Sequence, residues 1–149
     1  MAVWIRTSLR RISLRTNSVR KMGQSVLEYV GYPRAHLSLI LVGKTRMLTL
    51  NRMYRQQEYP TDVLAFPMGE VPGATEVFLG DVVICLPVAV SQASTFGNSP
   101  DQEILRLIIH GTLHLLGYDH EISKQEAKRM QLKEQSIFQH LTPVPRLLA

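Results

Sequence analysis

Residues 99–120 read SPDQEILRLIIHGTLHLLGYDH, and the fold can be worked out from this stretch outward. Ser99 is a favoured N-cap residue, and Gln102 stands where it completes a capping box with Ser99. Residues 104–116 are apolar almost all round, which is typical of a helix covered on every side. Gly117 then supplies a left-handed stop. The stretch therefore predicts a buried helix that ends in a sharp reversal of the chain.

The segments on either side alternate between the apolar periods of strands and helices. Strands are predicted over residues 3–9, 36–42, 63–67 and 77–85, and further helices over residues 17–30, 44–55, 87–96 and 123–139. Residues 67–76 are rich in Gly and Pro, which predicts a mobile loop. Because strands and helices interleave, the sequence predicts an α/β (α+β) fold. We expect a single layered domain over residues 1–149, with a mixed, mostly four-stranded sheet flanked by helices.

Composition narrows the class of protein. The 149 residues carry a formal charge of +5, which favours anionic partners, RNA above all, although a solvated basic surface would look the same. The single cysteine, Cys85, lies in an apolar run and is expected to be a buried thiol in a reducing, cytoplasmic protein. No apolar run reaches the roughly 18 residues of a membrane span. The Arg-rich N-terminus also fits an organelle transit peptide, but its alternating pattern favours a strand.

Three histidines predict a metal site on the buried helix. His110 and His114 are four residues apart, so their side chains lie on one helix face, and His120 follows the glycine stop. Two unpaired imidazoles buried on an apolar helix would each be unfavourable by roughly 1–3 kcal/mol, which favours a metal over simple packing. Three imidazoles leave a tetrahedral ion one open position, as in catalytic zinc sites. We therefore expect one zinc ion per chain, bound by all three histidines.

The same spacing of histidines occurs in the metzincin proteases, which leaves a protease as an alternative. Those enzymes carry a Glu as general base directly after the first histidine, whereas this chain has Gly111 there. A third hypothesis is a non-catalytic, ribosome-binding module with a structural metal. Structural zinc sites normally fill all four positions with Cys and His, and the motif offers only three histidines.

The full motif indicates a protein family more specifically than its three histidines do. The run HGTLHLLGYDH at residues 110–120 resembles the signature of the YbeY family of bacterial metal-dependent endoribonucleases, His-Gly-x-Leu-His-Leu-x-Gly-x-Asp-His. The segments LNRMYR at residues 50–55 and PTDVLAFP at 60–67 together are similar to a second block of that family, and LGDVVI at 79–84 is similar to its Leu-Gly-Asp strand. Ala65 departs from the Ser that is common at its position. The resemblance implies a single-strand-preferring endoribonuclease that acts in ribosome quality control and in rRNA maturation, notably at the 3′ end of small-subunit RNA. Its metal would be zinc, with nickel as an alternative.

Two further residues are candidates for catalysis. Arg55 matches the Tyr-Arg position that the family uses, and a guanidinium there could stabilise charge on the phosphoryl oxygens; otherwise it is a surface arginine at a helix end. Asp81 interrupts an apolar strand and is expected to orient a ligand histidine or Arg55, or else to cap a bulge beside Gly80. Glu103 and Arg106 are expected to form an ion pair at the helix entrance.

Overall fold

The computed structural model describes residues 2–7, 9, 12–69 and 72–149, which form four strands and five α-helices. The strands are β1 (Ala2–Thr7), β2 (His36–Val42), β3 (Val63–Pro67) and β4 (Phe78–Cys85). The helices are α1 (Thr16–Tyr29), α2 (Lys44–Arg55), α3 (Leu86–Gln92), α4 (Pro100–Leu115) and α5 (Lys124–Leu141), and a 3₁₀ turn over Ala93–Phe96 follows α3.

The four strands form one mixed sheet in the order β1-β2-β4-β3. β1, β2 and β4 are parallel, and β3 runs antiparallel to β4 at the sheet edge. The register between β2 and β4 shifts between His36 and Leu37, beside Gly80. Gly80 has φ +133°, and a Cβ there would collide with the carbonyl oxygen of Phe66, so only glycine fits this bulge. The predicted fold class, with its mixed four-stranded sheet flanked by helices, is confirmed.

The sheet is covered on both faces. On one face, Val82 and Ile84 belong to the main core beneath α4, together with residues of α1 and α5. On the other, Val83 and Cys85 pack with Met47 of α2. This two-sided burial explains why the β4 sequence is a nearly continuous apolar run. Cys85 is fully buried as expected, and burial raises the pKa of its thiol.

Some of the predicted ends of helices and strands are wrong by a residue or two. In two cases the local structure gives the reason. The helix predicted over residues 87–96 divides into α3 and the 3₁₀ turn, which a left-handed residue, Gly97, closes. The strand predicted from residue 77 begins at Phe78, because Val77 only accepts a hydrogen bond from the His36 N–H.

Several sequence predictions remain untested. The loop predicted to be mobile over 67–76 includes residues 70 and 71, and the strand predicted over 3–9 includes residue 8, all outside the described residues. The mobility of the loop and the domain limits at residues 1–149 therefore stay predictions. Within the described residues, none of the helices combines the length and apolar character needed to cross a bilayer.

Candidate metal centre

The helix α4 begins at a well-defined cap. The backbone N–H of Gln102 donates to Ser99 Oγ (3.2 Å), and the backbone N–H of Ser99 donates to Gln102 Oε1 (2.8 Å). These reciprocal bonds form the predicted capping box, which satisfies two N–H groups at the helix start. The helix then runs to Leu115 and carries His110 and His114 one turn apart, both half-buried.

The end of α4 folds the chain back towards its own last turns. Gly117 adopts φ +98°, and its N–H donates to the carbonyl oxygen of His114 (3.1 Å). The N–H of Tyr118 donates further back, to Leu113 (3.0 Å), so the helix closes as a glycine-ended C-cap. Asp119 Oδ1 then accepts the backbone N–H of Glu121 (2.9 Å), which turns the chain once more. The reversal predicted from Gly117 is thus present.

This reversal brings three imidazoles together. The ring centroid of His110 lies 4.8 Å from that of His114 and 5.3 Å from that of His120, and the remaining pair is 5.2 Å apart. One nitrogen from each ring can be chosen so that all three lie within 4.8 Å of one another. Burial lowers the pKa of His114, and the charges of His110 and His120 lower it further, which keeps this imidazole neutral and able to bind a metal. The three side chains therefore fit one metal ion.

A carboxylate that the sequence analysis missed holds the first of these rings. Glu134 of α5 places Oε1 2.6 Å from Nδ1 of His110, and both side chains are only about one-fifth exposed, at 20% and 22%. A ring whose Nδ1–H donates to a carboxylate keeps Nε2 free for a metal. Glu134 lies between the buried Met130 and Ile137 on the apolar side of α5, so an acid within an apolar stripe was the signal that could have revealed it.

Arg55 reaches the same cleft from the last residue of α2. Its Nη2 lies 3.5 Å from Oε1 of Glu121, and that oxygen is 3.9 Å from Nε2 of His120. Asn51 is fully buried one turn before Arg55, and its Nδ2 donates to the carbonyl oxygen of Tyr59 (2.7 Å), which fixes the loop after α2. The structure therefore brings together Arg55 and all three predicted metal ligands, which line a single cleft. Glu121, like Glu134, was missed by the sequence analysis.

With this geometry established, comparison with known proteins is informative. The model of one protein family, described as Endoribonuclease YbeY, matches residues 5–142. The chain belongs to the endoribonuclease YbeY family. The family and the enzyme class that the sequence motifs indicated are thereby confirmed.

Individual relatives cover most of the chain. A protein from Aquifex aeolicus named Endoribonuclease YbeY is 38% identical over 134 residues, which is 90% of this chain and 89% of the relative. One of the same name from Geobacter metallireducens is 38% identical over 141 residues, or 93% and 94% of the two chains. The solution structure of TM1509 from Thermotoga maritima superposes with a TM-score of 0.64 at 29% identity, covering 93% of this chain and 88% of that one.

The structure gives a reason for the glycine in the YbeY motif. A Cβ added to Gly111 would lie 2.5 Å from Cγ1 and 3.0 Å from Cγ2 of Val82 in β4, so α4 approaches the sheet more closely than any side chain at 111 allows. A glutamate, which metzincin proteases carry at this motif position, would have to displace that strand. Gly111, at which the YbeY motif differs from the metzincin motif, is therefore the residue that allows α4 to pack closely on β4.

Asp81 is not brought to the metal cleft. Strand residues alternate between faces, and Asp81 shares its face with Val83 and Cys85, which pack towards α2, whereas Val82 faces α4 and the histidines. Within the described residues its carboxylate forms no ion pair. The roles expected for Asp81, orienting a ligand histidine or Arg55 or capping the bulge beside Gly80, stay predictions, and the carboxylate that contacts a ligand histidine is Glu134.

Hydrogen bonds and an ion pair connect the first turns of α4 with a residue that lines the cleft. Glu103 is fully buried and accepts hydrogen bonds from Arg106 Nε (2.8 Å) and Gln92 Nε2 (2.8 Å), so the expected Glu103–Arg106 pair is present. Burial disfavours the Arg106 cation, but the hydrogen bond to Glu103 and the charges of the surrounding carboxylates together outweigh this and raise the pKa of Arg106. Gln92 Nε2 also donates to Asp62 Oδ2 (2.9 Å), and Asp62 lines the cleft. The turn before β3 is thereby held against α4.

Proposed function

We propose that this chain is a zinc-dependent endoribonuclease that cleaves single-stranded RNA. The single observation that supports this most strongly is the cluster of His110, His114 and His120 in a cleft that also contains Arg55, in a chain of the YbeY family. A site of three imidazoles favours zinc among the common divalent ions, with nickel as an alternative. When bound, such an ion would act as a Lewis acid on a phosphoryl oxygen and lower the pKa of a coordinated water.

The side chains around the histidines have distinct roles in this proposal. Arg55 binds the non-bridging phosphoryl oxygens through its planar guanidinium, which can form two parallel hydrogen bonds as charge grows in the transition state. Its contact with Glu121 is long, at 3.5 Å, and both side chains are substantially exposed, so a phosphate can replace that carboxylate. Glu134 holds His110 so that the ring presents Nε2 to the metal.

The physiological task that we propose is maturation of ribosomal RNA, notably at the 3′ end of the small-subunit RNA, together with ribosome quality control. The small ribosomal subunit is the proposed partner, and the cytoplasm the proposed location. These assignments are supported by the resemblance of the motifs to the YbeY family, by the formal charge of +5 and by the unpaired, buried Cys85.

Specific features argue against the two alternatives. The metzincin mechanism uses a glutamate directly after the first histidine as proton acceptor, and Gly111 cannot be exchanged for a glutamate without moving Val82. A purely structural metal would need a fourth protein ligand, and the described residues group only three suitable side chains at this point.

Purified metal-loaded protein should be offered four substrates: unstructured RNA, duplex RNA, a precursor of the small-subunit RNA 3′ end, and casein. We expect cleavage of unstructured RNA and trimming near the precursor 3′ end, weak cleavage of the duplex, and intact casein. The His114→Ala variant controls for contaminating ribonuclease and should be inactive. Casein hydrolysis that His114→Ala abolishes, with RNA left intact, would instead establish the protease.

A further inference from the structure

The metal cleft by itself carries little positive charge. Among the described residues that line it, Arg55 is the one lysine or arginine, and Asp62, Asp119 and Glu121 contribute three carboxylates. Even a divalent ion at the histidines would leave such a cleft with little net attraction for a polyanion. Because RNA binding depends strongly on phosphate contacts, a second, cationic surface should lie where the strand leaves the cleft.

One surface of α5 has this character. A shallow depression there is lined by Tyr118 and by four cationic side chains, Lys124, Lys128, Arg129 and Lys133, and none of the described residues that line it is acidic. We call these five residues the α5 basic face. Lys124 and Lys128 lie one helical turn apart and are exposed, so their ammonium groups project from the same side of the helix.

The lysines of this face are free to bind anions. None of the three forms an ion pair within the described residues. Arg129, by contrast, is held in place: its Nη1 donates to Glu126 Oε2 (2.8 Å), and its guanidinium carbon lies 4.3 Å from the centre of the Tyr118 ring. The nearby acid Glu126 is therefore engaged by Arg129, while the lysines keep their charge available.

The face and the metal cleft are lined by neighbouring residues of one chain segment. Tyr118, which lines the basic depression, is followed in sequence by Asp119 and His120, which line the cleft. Adjacent Cα atoms are about 3.8 Å apart, so a strand whose phosphate lies at His120 needs to advance only a short distance to reach the depression.

We propose that the α5 basic face binds the phosphodiester backbone of the single-stranded RNA as it leaves the metal cleft. This inference rests on the proposed function, since it assumes that RNA occupies the cleft. The occupant is a polyanion read through its phosphates, without base specificity, because the face offers ammonium groups and no free aromatic ring.

A matched pair of double variants tests the proposal. Lys124→Gln/Lys128→Gln removes two charges from the face, and Lys21→Gln/Lys44→Gln removes two equally exposed charges elsewhere. Binding of a 2′-O-methylated single-stranded RNA, which resists cleavage, should be measured on metal-loaded protein over a range of salt concentrations. We expect Kd to rise about fivefold for each lost contact at 0.1 M salt and the salt slope to fall by about 0.7 per contact in the first variant alone. Its KM for cleavable RNA should rise while kcat stays unchanged.

The outcomes separate this inference from the proposed function. Equal RNA affinities in wild type and Lys124→Gln/Lys128→Gln, or equal losses in both double variants, would overturn the α5 basic face as an RNA site. Loss of binding to polyglutamate with RNA affinity unchanged would overturn it in favour of an acidic protein partner. Wild-type protein that binds RNA through these lysines without cleaving it would leave the face in place and refute the endoribonuclease.

Discussion

The two ring nitrogens of His110 have different partners. Nδ1 lies 2.6 Å from Glu134 and is occupied by that carboxylate, so only Nε2 can point to a metal that His114 and His120 share. A negative partner at Nδ1 also makes the imidazole a stronger ligand, and outer partners of this kind typically change metal affinity 10–100-fold. We therefore expect Glu134 to act on a bound metal through His110.

Glu134→Ala should weaken zinc binding by about 10–100-fold, measured by competition with a chelating dye. Glu134→Gln should lose less affinity, because its amide oxygen can still accept the Nδ1 proton. Glu126→Gln, which removes a carboxylate from the exposed part of the same helix, serves as control and should bind zinc normally. Unchanged zinc affinity in Glu134→Ala would show that the contact has no positioning role.

Arg55→Ala should lower kcat for RNA cleavage about 10²–10³-fold, because a charge clamp of this kind acts on the transition state. Zinc content and Tm should remain near those of wild type, since the Arg55 side chain is 44% exposed. Arg52→Ala is the matched control: it lies on the same helix, is paired with Glu58, and does not line the cleft. Arg55→Lys should not restore activity, as an ammonium cannot form the planar pair of bonds. Normal cleavage by Arg55→Ala would remove it from the site.

At the scale of elements, the seating of α4 on β4 depends on the absence of a side chain at 111. Gly111→Ala should lower the free energy of unfolding by about 1–3 kcal/mol, because the new methyl group would lie 2.5 Å from Val82 Cγ1. Urea unfolding of Gly111→Ala, Val82→Ala and the double variant measures this. The double variant should be more stable than the sum of the single effects predicts, since the second change makes room for the first. If the losses of unfolding free energy in the two single variants simply add in the double variant, the contact between residue 111 and Val82 is not the cause of the destabilisation.

Local sequence signals made individual helices and strands predictable, whereas the contacts between them could not be predicted from such signals. The α4 boundaries follow from Ser99, Gln102 and Gly117, all of which act within a few residues of the helix. Glu134 meets His110 only because α5 packs against α4, and no local pattern measures that approach. The face on which Asp81 lies could not be predicted for a related reason: β4 is buried on both faces, so its apolar run does not reveal which face meets α4.

In the molecule as a whole, the order of strands in the sheet separates the Arg-rich N-terminal strand from the metal cleft. β1 and β3 form opposite edges of the sheet, and residues of β3 line the metal cleft. The arginines that crowd the first third of the sequence flank β1, although Arg10 and Arg11 lie outside the described residues. The α5 basic face is instead next to the cleft in space, which charge counted along the sequence could not reveal.

The most direct test of a metal-dependent endoribonuclease is to titrate zinc into stripped protein while following cleavage of single-stranded RNA. Cleavage should rise in proportion to added zinc and level off at one ion per chain, because His110, His114 and His120 form one site. His114→Ala should stay folded, bind far less zinc, and remain inactive at the same additions. Full cleavage by stripped protein, or by His114→Ala, would contradict the account.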